Sequence, residues 1–183
     1  MTTYTAESLD VVPFFDLERL LELSQESRLG GDVLQRLVQR WEQWLPLLHV
    51  RRLDMGKVQY LLAWLEQDVE EQVDKLWEDS PSDAYLYNSL AQLLCMGAVH
   101  QVLPEIEEAG CAPAPRPTEK LAAALQAEGL GYKDEGPSLH LRYAVVTHFP
   151  FKGACEICHL QADCPKGQGQ AGAASVVLPG YEH

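Results

Sequence analysis

Basic residues are scarce in this chain: 14 Lys and Arg stand against 27 Asp and Glu, a formal net charge of −13 at pH 7. Nucleic-acid binders displace counterions from phosphates with clustered Lys and Arg, and no cluster here exceeds the pair Arg51-Arg52. Direct binding of DNA or RNA is therefore disfavoured, as is adsorption to an anionic membrane. Long apolar runs are missing too, and the N-terminal Met-Thr-Thr-Tyr-Thr-Ala-Glu lacks the basic and apolar regions of a signal peptide. The expected compartment is the cytoplasm. The chain has no nucleophile elbow, no phosphate-cradling Gly loop and no HExxH helix, and Gly129-Leu130-Gly131 follows a helical stretch rather than opening one. Acyl, phosphoryl or hydride transfer thus finds no support, and a non-catalytic role is expected.

What is present is helical periodicity. With 183 residues and 46% hydrophobic composition, the chain is long enough for one domain with a core. Leu17, Leu20, Leu21 and Leu23 share one side of a segment over 16–28, which Gly30-Gly31 is expected to end. Asp32 reads as the cap of a second helix whose Leu34, Leu37, Val38, Trp41 and Trp44 recur at three- and four-residue spacing. Residues 54–79 carry a stripe of Val58, Leu61, Leu62, Leu65, Val69, Val73 and Leu76 opposite an acidic face, and this predicts a long third helix. Asp83 is the expected cap of a fourth, apolar on most sides and ended near Pro104, which marks the most buried helix. Residues 110–117, Gly-Cys-Ala-Pro-Ala-Pro-Arg-Pro, have the composition of a stiff linker. A short helix follows between Thr118 and Gly129, and a strand is predicted within 139–149. Residues 166–175 have no periodicity and are expected to be flexible. The predicted fold is a mainly α, single-domain helical bundle over 1–137. An irregular C-terminal segment, 138–183, belongs to the same domain.

Three of the five cysteines fall in one decapeptide, Cys155-Glu-Ile-Cys158-His159-Leu-Gln-Ala-Asp-Cys164, followed by Pro165. In a reducing compartment such spacing points to a metal or redox group rather than to disulfides. Two thiolates in CxxC reach two corners of a cluster from one tight turn, and a third Cys after another short turn reaches a further corner. A [4Fe–4S] cluster or a tetrahedral zinc ion both need a fourth ligand. The candidates are Cys111, His148, Cys95 and His159. Cys95 lies on the most apolar helix, where packing is the more common role of a cysteine. The run Cys155-x-x-Cys158-His159 also fits covalent haem attachment, but that leaves Cys164 without a role.

The segment from His148 to Cys164 resembles the C-terminal [4Fe–4S] loop of helix-hairpin-helix DNA glycosylases. In that loop a first Cys is followed after six, two and five intervening residues by three more. Cys155, Cys158 and Cys164 match the last three, and His148 stands where the family has its first. The resemblance implies an iron–sulfur site alone, because no hairpin motif of that family precedes the loop and Leu178-Pro179-Gly180 lies after it. The molybdenum-donor proteins of nitrogenase cofactor assembly are similar in size and in their three closing cysteines, with a fourth where this chain has Pro150. CRISPR-associated and recombination nucleases with the same triplet take their first ligand from far upstream, a place that Cys111 or Cys95 would fill.

The functional expectation is a small cytosolic iron–sulfur protein with an accessory role: electron relay, delivery of a cluster or metal, or redox-dependent interaction with a protein partner. The alternative is a zinc-bound helical interaction module. The acidic groups Glu66, Asp68, Glu70, Glu71 and Glu105, Glu107, Glu108 lack calcium-loop spacing and read as solvated helix faces. Trp41, Trp44, Trp64 and Trp77 read as packing residues.

Overall fold

A computed structural model describes residues 4–134 and 136–165. The expected flexible stretch 166–175 and the Leu178-Pro179-Gly180 turn lie outside the described residues. In order the elements are β1 (Thr5–Ser8), α1 (Leu17–Ser24), α2 (Gly31–Trp44), β2 (Leu48–Asp54), β3 (Gln59–Leu65), α3 (Gln67–Asp79), α4 (Pro81–Val102), α5 (Glu105–Ala109), α6 (Glu119–Ala127) and β4 (Ala144–Phe149). The four strands form one antiparallel sheet in the order β1-β2-β3-β4. The mainly α bundle expected from the sequence is therefore incorrect: this is a mixed α/β protein.

The error has a definite origin in residues 54–79. Their first half is the end of β2, the hairpin turn and strand β3, not helix, and only Gln67–Asp79 is helical. Tyr60 to Leu65 are all buried because β3 is covered on both faces, so its side chains show no polar alternation. A short run that is apolar throughout satisfies a buried helix and a buried strand equally. The hairpin before it, β2 to β3, turns at Asp54-Met-Gly56: Asp54 Oδ1 accepts the Gly56 N–H at 2.7 Å, Met55 N–H donates to Val58 C=O at 3.0 Å, and Gly56 sits at φ +85°. Asp and Gly at these positions serve a turn and not a helix start.

One sheet face is packed by α4 and α5, with Val50, Leu61 and Ala63 against Cys95, Ala98, Val99, Leu103 and Ile106. The other is packed by α6, with Leu53, Leu62, Trp64 and Val146 against Leu121, Ala124 and Leu125. A third cluster joins α1, α2, α3 and α4 through Leu20, Leu37, Trp44, Val73, Leu90 and Leu94. Helix α4 touches both the sheet and the other helices, which is why it is apolar on nearly every side. Trp41, Trp44 and Trp64 are buried, whereas Trp77 is 44% exposed.

Helix ends differ in detail from expectation. Asp16 caps α1 by accepting the Arg19 N–H at 3.0 Å, but the helix stops at Gln25 in the left-handed region, before Gly30. Gly30 and Ser80, rather than Asp32 and Asp83, occupy the cap positions of α2 and α4. Asp32 and Asp83 instead lie in the first turns, and Asp83 pairs with Arg36 at 3.5 Å. Thr118 caps α6 as expected, accepting from Leu121 N–H at 3.2 Å. On the acidic face of α3, Asp74 pairs with Arg142 at 2.9 Å and Glu70 accepts the Arg142 backbone N–H. Glu66 binds His49 at 2.8 Å. Among the described residues no helix is long and apolar enough to cross a membrane.

Candidate metal centre

The edge strand β4 delivers the cysteine decapeptide. The chain leaves it through a cis Phe149–Pro150 bond and turns at Gly153, whose φ of +139° is rarely adopted by L side chains. A Cβ at Gly153 would lie 2.5 Å from Glu156 Oε1, the movable end of an exposed side chain, so it is the backbone conformation that calls for glycine. Two 3₁₀ turns follow, Cys155–Ile157 and Gln161–Asp163. The N–H of Cys158 donates to Cys155 C=O at 3.2 Å, that of Gln161 to Cys158 C=O at 3.2 Å, and that of Cys164 to Gln161 C=O at 3.4 Å. Each cysteine therefore begins or closes an i to i+3 turn, and the spacing of the motif is the spacing of these turns. Cys155, Cys158 and Cys164 are half-buried thiols not joined in disulfides.

The proline-rich segment 110–117 is not a free linker. Thr147 Oγ1, fully buried on β4, donates to Pro113 C=O at 2.9 Å. Ala114 then faces the cysteine turn with both of its backbone groups. Its N–H donates to Cys158 Sγ at 3.4 Å, and its C=O accepts the His159 N–H at 2.9 Å. Amide-to-sulfur bonds of this kind support a thiolate and tune a metal or cluster it holds. Cys111, half-buried, precedes Ala114 by three residues on the same extended segment.

The remaining candidates sit differently. His148 pairs with Tyr60 across β3–β4, with ring centroids 5.6 Å apart, on the face that packs α6. Its Nδ1 is buried without a hydrogen-bond partner among the described residues. Burial, and secondarily the Lys152 charge, lowers its pKa and holds the imidazole neutral. Cys95 is in the core, donating to Ala63 C=O at 3.5 Å and Tyr143 C=O at 3.7 Å; burial pushes its thiol up to about 12. That suits packing and works against a thiolate ligand. His159 is exposed on the turn itself.

The fold thus brings Cys155, Cys158, Cys164 and the Cys111 segment to one end of β4, and it directs Cys95 and His148 elsewhere. Among the described residues no three His, Cys, Asp or Glu side chains are grouped to hold a metal ion. Soft thiols are donors of the kind that zinc and iron–sulfur clusters take. Two contributors escaped sequence reasoning. Thr147 and the backbone of Ala114 carry no motif, and the only signal was the Pro-x-Pro stiffness around Ala114. Comparison with protein-family models, with curated proteins and with solved structures finds no match.

Proposed function

We propose that this chain is a small cytoplasmic accessory protein that carries an iron–sulfur cluster, of the [4Fe–4S] kind, on Cys155, Cys158, Cys164 and Cys111. The observation that supports this reading is the two-point attachment of Ala114 to the cysteine turn. It holds the segment bearing Cys111 against the turn, and it supplies a sulfur-directed N–H. When bound, the cluster provides a one-electron redox centre or a deliverable metal unit. The chain's own part is to present four thiolates at an edge of the sheet, with the turn half exposed to a protein partner.

The test is anaerobic reconstitution followed by iron, sulfide and zinc analysis and visible absorption. Broad sulfur-to-iron absorption with about four irons per chain supports the proposal. Stoichiometric zinc in a colourless protein would replace it with a zinc-held interaction module, and a sharp haem band would overturn it. Cys111→Ser is expected to bleach the cluster, whereas His148→Gln is expected to retain it. The reverse pattern would make His148 the fourth ligand.

A further inference from the structure

One side of β4 leaves its backbone unpaired. The Leu65 N–H donates to Tyr143 C=O at 2.9 Å, so Tyr143, and by alternation Val145 and Thr147, turn their N–H and C=O towards β3. Those of Ala144 and Val146 point the other way, where no segment pairs with them among the described residues. An open edge of this kind accepts a further strand.

Ala144 and Val146 lie along a groove of about 970 Å³, the size of a ligand-binding cleft. Met96 walls it from the α4 layer, and Leu139 and Leu141 wall it from the α6 layer. Pro13 is buried against α4, where a Cβ added to Gly97 would meet Pro13 Cβ at 3.2 Å. Its neighbours Val12 and Phe14 are held at the groove's rim, 65% and 79% exposed. Large apolar side chains kept in solvent beside an open strand edge suit contact with another chain.

The lining is charged as well as apolar, and most of its charges are already engaged. Arg19 pairs with Glu22 at 3.0 Å, Arg142 pairs with Asp74 at 2.9 Å, and Asp16 accepts the Arg19 N–H at 3.0 Å. Burial keeps His100 neutral at pH 7. Lys133 and Glu107 are exposed and make no ion pair among the described residues. They mark opposite ends of the groove. The Lys133 N–H donates to Ser138 C=O at 2.8 Å, on the stretch that leads into the start of β4. Glu107 C=O accepts the Gly110 N–H at 3.2 Å, on the stretch that Thr147 fastens near the other end of β4 through Pro113.

We propose that this groove binds an extended segment of another protein as a fifth strand, antiparallel to β4. The segment carries a basic residue near its N-terminal end, facing Glu107, and an acidic residue near its C-terminal end, facing Lys133, with β-branched residues between them. A peptide backbone satisfies the N–H and C=O of Ala144 and Val146, which an acyl chain or a flat apolar ligand would leave buried and unpaired. A second copy of this chain is disfavoured because each carries a net charge of −13 and holds its own β4 edge within the same groove. Seven extended residues span about 23 Å, enough to pass both ends of a six-residue strand of about 20 Å. The proposal is independent of any metal on the cysteine turn, so the two stand or fall separately.

The probe is the end-blocked peptide Lys-Val-Thr-Val-Thr-Val-Glu, added to the full chain and read by amide hydrogen exchange at residue resolution. Saturating peptide is expected to slow exchange of the Ala144 and Val146 amides about tenfold or more. The Val145 and Thr147 amides, which face β3, should stay protected throughout and so report an intact fold. Two further peptides are N-methylated, one at every Val and the other at every Thr. Only one of these sets faces β4, so one peptide should lose binding and the other should keep it; any other pattern overturns the proposal. Lys133→Glu should weaken the probe about three- to tenfold, and a peptide ending in Lys in place of Glu should recover the loss. No edge protection at millimolar peptide overturns the proposal. So does edge protection without peptide that grows with protein concentration, because the occupant would then be a second copy.

Discussion

The backbone N–H of Ala114 donates to the sulfur of Cys158 at 3.4 Å, across forty-four positions of sequence. This bond ties a proline-rich segment to a cysteine turn that lies after the whole sheet has formed. Replacing Ala114 with Pro removes the donor while leaving the segment's polyproline character. The chain is expected to fold with unchanged circular dichroism but to hold metal about 10- to 100-fold more weakly in chelator competition, the usual effect of losing a support to a metal ligand. Unchanged affinity would show that the contact is incidental.

Gly153 tests the turn from the other side. Gly153→Ala forces a side chain into φ +139° and towards Glu156 Oε1. The strain is expected to cost about 1–3 kcal/mol, read as a lower unfolding midpoint and reduced metal loading. Adding Glu156→Ala removes the close contact but not the backbone strain, so recovery should be partial. Full recovery would locate the whole effect in the contact.

Cys95 separates core from ligand. Cys95→Ala should leave metal stoichiometry unchanged and lower stability by about 1–2 kcal/mol, measured by denaturant unfolding, from lost packing. In native protein the Cys95 thiol is expected to resist alkylation at neutral pH, since burial raises its pKa to about 12. Loss of metal in Cys95→Ala would place it among the ligands.

Stability should fall in mild acid. Burial lowers the pKa of His100, with Glu107 opposing and Arg19 reinforcing the shift, and burial lowers that of His148. The unfolded imidazoles, titrating near 6.5, take up protons before the folded ones. Their contribution is thus present above the unfolded pKa and is lost as pH falls through that value towards the folded one. Urea midpoints measured on either side of this window should drop on acidification, and His100→Gln should flatten the decline. A midpoint independent of pH across the window contradicts the assignment.

Much of the helical layer was legible in residue order. The periodic leucines of α1 and α2, the apolar α4 and the Thr118 cap are local patterns, and helices are local structures. The sheet was not legible, apart from β4. Strand β2, Leu48–Asp54, mixes Val50 and Leu53 with His49, Arg51 and Arg52, and these polar residues find partners only through the fold. Arg51 reaches Glu128, far along the chain, and His49 stacks on Trp64 at 5.1 Å. Strand β3 has the opposite difficulty, being apolar throughout because α4 and α6 cover both its faces.

The sequence by itself determined the chemistry on offer: a triplet of thiols at turn spacing, an acidic body, and helix-forming segments to support them. Those properties depend on residue type and short-range spacing, which the chain carries wherever it folds. Only the tertiary structure decided which remote groups meet the triplet. It placed the segment of Cys111 beside Cys158 and turned His148 towards Tyr60. It buried Cys95 between two carbonyls. Such choices are set by which sheet face and which edge each residue occupies, and strand pairing between distant segments determines both.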